Sequence, residues 1–172
     1  EDAWPLSTGA GVVVAVIDTG VAYKDDNRPR KRGIMMPDLE ETGMVSGYDF
    51  VDDDDAPYDL HGHGTHVAGT VAQSTNNDYG VAGLAFDADI MPLRVLDGEG
   101  RGSFSDVADA IRYAADHGAD VINMSLGGFF PSSEVNSAVQ YASKKGGVVV
   151  AAAGHSGSNT KSYPAAFDNV IA

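Results

Sequence analysis

The chain has 172 residues and a mass of 17.9 kDa, enough for one domain with its own core. Hydrophobic residues at 43% and charged residues at 21% exclude a disordered or membrane-embedded chain, and the absence of Cys excludes disulfides, thiol nucleophiles and Cys-ligated zinc. A net charge of −14 argues against nucleic acid or an anionic membrane as partner.

The acidity is lopsided, with 20 Asp and only 5 Glu, and short Asp side chains suit turns, caps and cation-binding loops. No apolar run approaches the roughly 18 residues of a membrane-spanning helix. No leader segment opens the chain, so an exported protein is expected to have lost it already.

In chain order, the apolar, β-branched run at 12–17 predicts a first strand buried on both faces. Residues 23–60 read differently, with a basic block at 28–32 and an acidic one at 52–55. The basic block predicts a solvated loop or a nicking site. Small residues after His63 (Gly64, Ala68, Gly69) predict a tightly packed helix with His63 at its N-terminal end. A strand follows at 90–96. From Ser105, Val107, Ala108, Ile111, Ala114 and Ala115 fall on one helical stripe, which Gly118 stops. The run at 121–124 is a strand. From Ser133, Val135, Ala138, Val139 and Ala142 repeat the helical pattern up to Gly146-Gly147, and 148–151 is a further strand. Val170-Ile171-Ala172 opens another. This alternation predicts right-handed βαβ units in an α/β three-layer sandwich, with a mostly parallel central sheet. The expectation is a single domain over 1–172, incomplete at its C-terminus because the chain stops within a core strand.

Four segments carry chemistry. Asp18 in Val16-Ile17-Asp18-Thr19-Gly20 lies just past a buried strand, where open α/β sheets collect ligands; a turn or helix cap is the alternative. His61-Gly62-His63-Gly64-Thr65-His66 places three His within six residues, yet only His63 and His66 share a helical face and no zincin Glu is present. A neutral His63 exposed at a helix start suits a general base. Asn123-Met124-Ser125-Leu126-Gly127-Gly128 and Ala151-Ala152-Ala153-Gly154-His155-Ser156-Gly157 each follow a strand and leave backbone groups free for a ligand. Neither carries a phosphate-loop Lys.

Together, in this order, these segments closely resemble the subtilisin family of serine proteases (subtilases), over about residues 11–172. The resemblance implies that Asp18 is the triad aspartate and His63 the general base. It implies that Ser125, Leu126 and Gly127 pair with substrate backbone, with Ala152, Ala153 and Gly154 as the opposite pocket wall. Gly100, Gly102 and Phe104 match a second substrate-flanking strand and a more distant apolar pocket, so a peptide would bind by strand addition. His66 would be structural, and His61 and His117 surface residues. Calcium is implied at Asp38, Asn77, Tyr79 and Val81, with Asp2 near the N-terminus; Asp49, Asp52 and Asp54 read either as a second calcium site or as a solvated acidic loop.

Two departures stand out. No Gly-Thr-Ser-Met-Ala segment with the nucleophilic serine occurs in these 172 residues. The expectation is therefore the N-terminal portion of a catalytic domain, inactive alone, with the serine on a C-terminal fragment. His155 stands where the family pattern has the Asn that donates to the oxyanion, which predicts a weakened or pH-dependent oxyanion hole, with Asn159 as an alternative donor. The implied protein is a secreted serine endopeptidase acting on peptides, with a pro-segment inhibitor as a further partner. The alternative is a catalytically inactive, subtilase-like peptide-binding protein.

Overall fold

The computed structural model describes residues 3–28, 31–155, 157 and 159–172. In chain order, strand β1 (Val13–Asp18) is followed by a small antiparallel ribbon, β2 (Asp26–Arg28) and β3 (Lys31–Gly33). A 3₁₀ turn (Pro37–Leu39) and the short strand β4 (Tyr48–Asp49) lead to helix α1 (His63–Ala72). Then come β5 (Asp89–Arg94), α2 (Phe104–Asp116), β6 (Val121–Met124), α3 (Ser133–Lys144), β7 (Val148–Ala151) and β8 (Val170–Ile171).

The main sheet has six strands in the order β4-β5-β1-β6-β7-β8, and every neighbouring pair is parallel. Alternation along β1 divides the core. Ala15 and Ile17 point to the side covered by α2 and α3, where they meet Ile111, Ala138 and Val139. Val14 and Val16 point to the opposite side, against Ala68 and Ala72 of α1. The expected three layers follow, and the strand at 170–171 does form, parallel to β7.

The helices begin where the sequence supplies caps. Ser103 accepts from Asp106 N at the start of α2, and Ser132 accepts from Val135 N at the start of α3. Helix α1 lies close to β1 because of a glycine. A Cβ at Gly64 would stand 2.2 Å from Gly20 O and 3.1 Å from Asp18 Cβ, so only Gly lets the helix start approach the strand end.

The chain builds β4, β5 and β1 on one side and then crosses to add β6, β7 and β8 on the other. The crossover opens a crevice at the carboxyl ends of β1 and β6, the place where open α/β sheets bind ligands. One expectation needs correcting here. The basic block lies partly in the β2–β3 ribbon, where Arg28 pairs with Lys31 and Asn27 with Arg32, rather than wholly in a loop. Its Pro29 and Arg30 fall outside the described residues.

Candidate active site

Asp18 ends β1 and is fully buried. Its Oδ1 accepts from Thr19 N at 2.7 Å and lies 2.7 Å from Nδ1 of His63, at the start of α1. The two residues are 45 positions apart and are joined by the close β1–α1 approach. The His63 side chain is 46% exposed, so one edge of the ring is buried on the carboxylate and the other is open. With the Nδ1 proton donated to Asp18, the lone pair is left on Nε2, the tautomer a general base requires.

His63 borders a groove of about 500 Å³. It is lined by Leu96, Gly100, Gly102, Phe104 and Val107, by Ser125, Leu126, Gly127 and Gly128, and by Tyr163, Pro164 and Phe167. Gly100, Gly102, Phe104, Ser125, Leu126 and Gly127 are thus gathered along one groove with His63. Gly102 has no room for a side chain, since a Cβ there would stand 2.1 Å from Val95 O. Phe104 is half exposed and offers its ring to the groove. Ser125 does not join His63; its Oγ accepts from Asn123 Nδ2 at 3.0 Å.

Ala152, Ala153, Gly154 and His155 are exposed and stand apart from the described lining of the groove. Ala152 O lies 3.9 Å from where a Cβ on Gly127 would stand, so this segment is adjacent to the 125–128 segment. The Tyr163–Phe167 segment also borders the groove, brought alongside the 125–128 segment by the Gly128–Tyr163 backbone pairing. Ser156 and Ser158 lie outside the described residues. His61 and His117 are at the surface as expected; His117 stacks on Tyr113 with ring centroids 3.8 Å apart. His66 is exposed, not packed inside.

The first calcium expectation falls on a coherent loop. Asp38 is buried, and a turn at 76–80 with left-handed Asn76, Asp78 and Gly80 folds over it. Asn77 Nδ2 donates to Asp38 Oδ1 at 2.7 Å. A Cβ at Gly80 would lie 2.0 Å from Asp38 Oδ2, so the turn closes directly onto the carboxylate. Tyr79 and Val81 follow with exposed side chains, and Gln73 Nε2 donates to Val81 O. Asp2 lies outside the described residues.

Asp49 ends β4, and Asp52 and Asp54 lie in the turn that follows it. The Oδ2 atoms of Asp49 and Asp52 each lie 2.7 Å from Nη1 of Arg94, at the end of β5. Asp49 Oδ1 accepts from Val51 N and Asp52 N, and Asp54 Oδ1 accepts from Ala56 N. Among the described residues no group of three or more acidic or His side chains converges to hold a metal. Asp49 is fully buried, so the segment is not simply a solvated loop either. A guanidinium from the next strand is the cation these two carboxylates hold. Burial acts most strongly on Arg94, favouring its neutral form, but the hydrogen bonds to Asp49 and Asp52 outweigh it and hold the pKa above its ordinary value.

Sequence reasoning missed Asp59. This buried carboxylate accepts five hydrogen bonds. They come from Thr19 Oγ1, His61 N and Gly62 N on Oδ1, and from Thr65 N and Thr65 Oγ1 on Oδ2. The available signal was an Asp shortly ahead of a helix start, a residue type that takes up backbone N–H groups there.

A buried aspartate thus holds a half-exposed histidine at the edge of a groove, on the carboxyl ends of a parallel sheet. The comparisons agree in detail. The Subtilase family model matches residues 9–172, and the chain belongs to that family. It is 50% identical over 171 residues to the "Thermophilic serine proteinase" of Bacillus sp. (strain AK1), covering 99% of this chain and 40% of that protein. It is 46% identical to thermitase of Thermoactinomyces vulgaris, covering 99% and 57%. The solved structure of sphericase superposes with a TM-score of 0.82 at 39% identity, over 95% of this chain and 53% of sphericase. The chain thus spans about half the length of the relatives it matches. No helix among the described residues is long and apolar enough to cross a membrane.

Proposed function

We propose that this chain is the Asp- and His-bearing portion of a secreted serine endopeptidase, with the nucleophilic serine on a segment outside these 172 residues. The Asp18–His63 pair at the edge of the groove carries the reading. In the mechanism known for subtilisins, His63 Nε2 takes the serine proton as the hydroxyl attacks the peptide carbonyl. The ionised Asp18 stabilises the imidazolium, which then protonates the leaving amine, and water releases the acyl group by the same steps. The strap at Gly100 and Gly102 and the segment at Ser125, Leu126 and Gly127 would pair with an extended peptide, while Phe104, Val107 and Leu126 receive an apolar side chain. Ala152, Ala153 and Gly154 would complete the pocket before the scissile bond. An extracellular relative, the "Halolysin-like extracellular serine protease Nep" of Natrialba magadii, supports the secreted assignment. A pro-segment occupying the same groove is a further partner. The test is a serine-directed phosphonate applied to the complete protein. Labelling of a serine outside this chain, with peptide cleavage, supports the reading; a protein that binds peptides but neither labels nor cleaves is the inactive peptide-binding alternative.

His155 favours that alternative, because it stands at the oxyanion position. An imidazole N–H can donate there, but its length and charge differ from those of an amide. His155→Asn is expected to raise kcat of the complete protease by up to about 10²–10³-fold, the range known for this donor in subtilisin. Rates measured across pH should show the largest gain where the imidazole is the poorer donor. Equal rates at every pH would sink the assignment.

The donor set around Asp38 fits calcium: a buried carboxylate, an amide that can present its oxygen, and carbonyls on a tight loop are hard ligands. Asp38, Asn77, Tyr79 O and Val81 O would hold the ion, which supplies charge neutralisation and loop rigidity there, with Asp2 as an N-terminal contributor. Chelation is expected to lower stability by about 3 kcal/mol relative to a hundredfold excess of calcium over its Kd. Thermal melts with and without EDTA measure this, and Asp38→Asn should abolish the difference.

A further inference from the structure

The Asp18–His63 hydrogen bond joins the end of β1 to the start of α1, 45 positions later in the chain. Helix α1 starts at His63 with Gly62 as its N-cap, in a left-handed conformation (φ 102°) and with no side-chain cap of its own. Its first-turn donors are satisfied from elsewhere. Gly64 N donates to Thr19 Oγ1 at 2.9 Å, and Thr65 N donates to Asp59 Oδ2 at 2.9 Å. Thr19 Oγ1 in turn donates to Asp59 Oδ1 at 2.9 Å, while Thr19 N donates to Asp18 Oδ1. Asp59 Oδ1 also takes the N–H groups of His61 and Gly62, each at 2.8 Å. One carboxylate therefore grips the residue after Asp18, the two residues before His63, and the helix turn that follows it.

We propose that Asp59 is a positioning residue that sets the distance between Asp18 and His63. The proposal rests on the reading of that pair as the proton relay of a protease. The grip needs a carboxylate in particular. Both oxygens act only as acceptors, Oδ1 for three donors and Oδ2 for two, and an amide can offer only one such oxygen. In Asp59→Asn, one side of the network meets an NH₂ group, and the backbone N–H of either Thr65 or His61 and Gly62 then faces another donor. Burial is the largest single influence on the Asp59 carboxyl and acts to raise its pKa. The hydrogen bonds from Gly62, Thr65 and His61 together outweigh it and hold the value below the ordinary carboxylate range. The ionised, five-fold acceptor is therefore the form present wherever such a protease works.

A simple helix cap would be felt in stability alone, whereas a positioning residue is felt in the chemical step, because misplacing a relay group by about 1 Å lowers turnover by about 10²-fold. In the complete protease, Asp59→Asn is expected to lower kcat about 10- to 100-fold with KM within twofold. Thr65→Val, which removes one donor without changing volume much, should lower kcat in the same direction, and Thr65→Ser should restore most of it. The proton NMR signal of His63 Nδ1–H, shifted downfield by the short bond to Asp18, should weaken or vanish in Asp59→Asn and persist in Thr65→Ser. A folded Asp59→Asn enzyme with unchanged kcat and an unchanged Nδ1 proton overturns the proposal and leaves Asp59 a cap. If Asp59→Asn does not fold, Thr65→Val decides: wild-type kcat with an unaltered signal likewise overturns it. A wild-type protein that shows the Nδ1 proton but no turnover would instead defeat the protease reading, and the response of that proton to the variants would still decide what Asp59 does.

Discussion

In the complete protease, Asp18→Asn is expected to lower kcat by about 10⁴-fold, close to the loss known for the aspartate of subtilisin. The geometry indicates how the loss would arise. Asp18 Oδ1 serves both Thr19 N and His63 Nδ1, each at 2.7 Å, while Oδ2 is buried with no hydrogen-bond partner among the described residues. An amide at this position would keep its oxygen on the shared site, where two donors converge, and turn its NH₂ toward the unoccupied side. The Nδ1–H tautomer would then survive. What disappears is the negative charge that stabilises the imidazolium after His63 takes the serine proton. A variant whose amide flips would instead lose the base tautomer and regain rate only at high pH. Steady-state rates from pH 5 to 10 separate the two, and a loss of less than tenfold would mean that Asp18 is not the relay carboxylate.

Much of the frame was readable in the sequence because its signals are local. Continuous β-branched runs marked β1, β5, β6 and β7, since strands covered on both faces show no polar alternation. The stripes of α2 and α3 were equally plain, and their glycine stops fell where the helices end. Asp18 and His63 stood out at a strand end and a helix start, but their roles came only with the resemblance to subtilases. What escaped the sequence depends on contacts across long separations. Arg94 read only as a member of an apolar strand, and nothing local shows that it faces Asp49 and Asp52, 45 and 42 positions earlier. Asp59 escaped for the same reason, because three of its five donors belong to Thr19 and Thr65, on two other elements. The exposure of Ala152–His155 was hidden too.

The second large effect concerns the ion pair that the acidic cluster conceals. Arg94 is 3% exposed and Asp49 is fully buried, so the pair has lost most of its hydration. Its net contribution over an apolar replacement is small, because desolvation offsets most of the attraction. Breaking it is another matter. Asp49→Ala leaves a buried guanidinium whose Nε lacks a hydrogen-bond partner among the described residues, with the half-exposed Asp52 still on its Nη1. The expected destabilisation is about 3–5 kcal/mol. Arg94→Met should be less damaging, since Asp49 Oδ1 retains the N–H groups of Val51 and Asp52. The double variant Asp49→Ala/Arg94→Met should lose less than the sum of the single changes, and a double-mutant cycle in urea measures the coupling. The background should be Asp18→Asn, so that self-digestion does not masquerade as unfolding. Strict additivity would show that the two residues do not interact in solution. The pair also bears on the active site: Arg94 lies in register with Asp18 across the β1–β5 ladder, and Val95 N donates to Asp18 O. Loss of the Arg94 anchor should therefore loosen the strand end that carries the relay aspartate, and catalytic rate should fall well below the melting temperature of the variant.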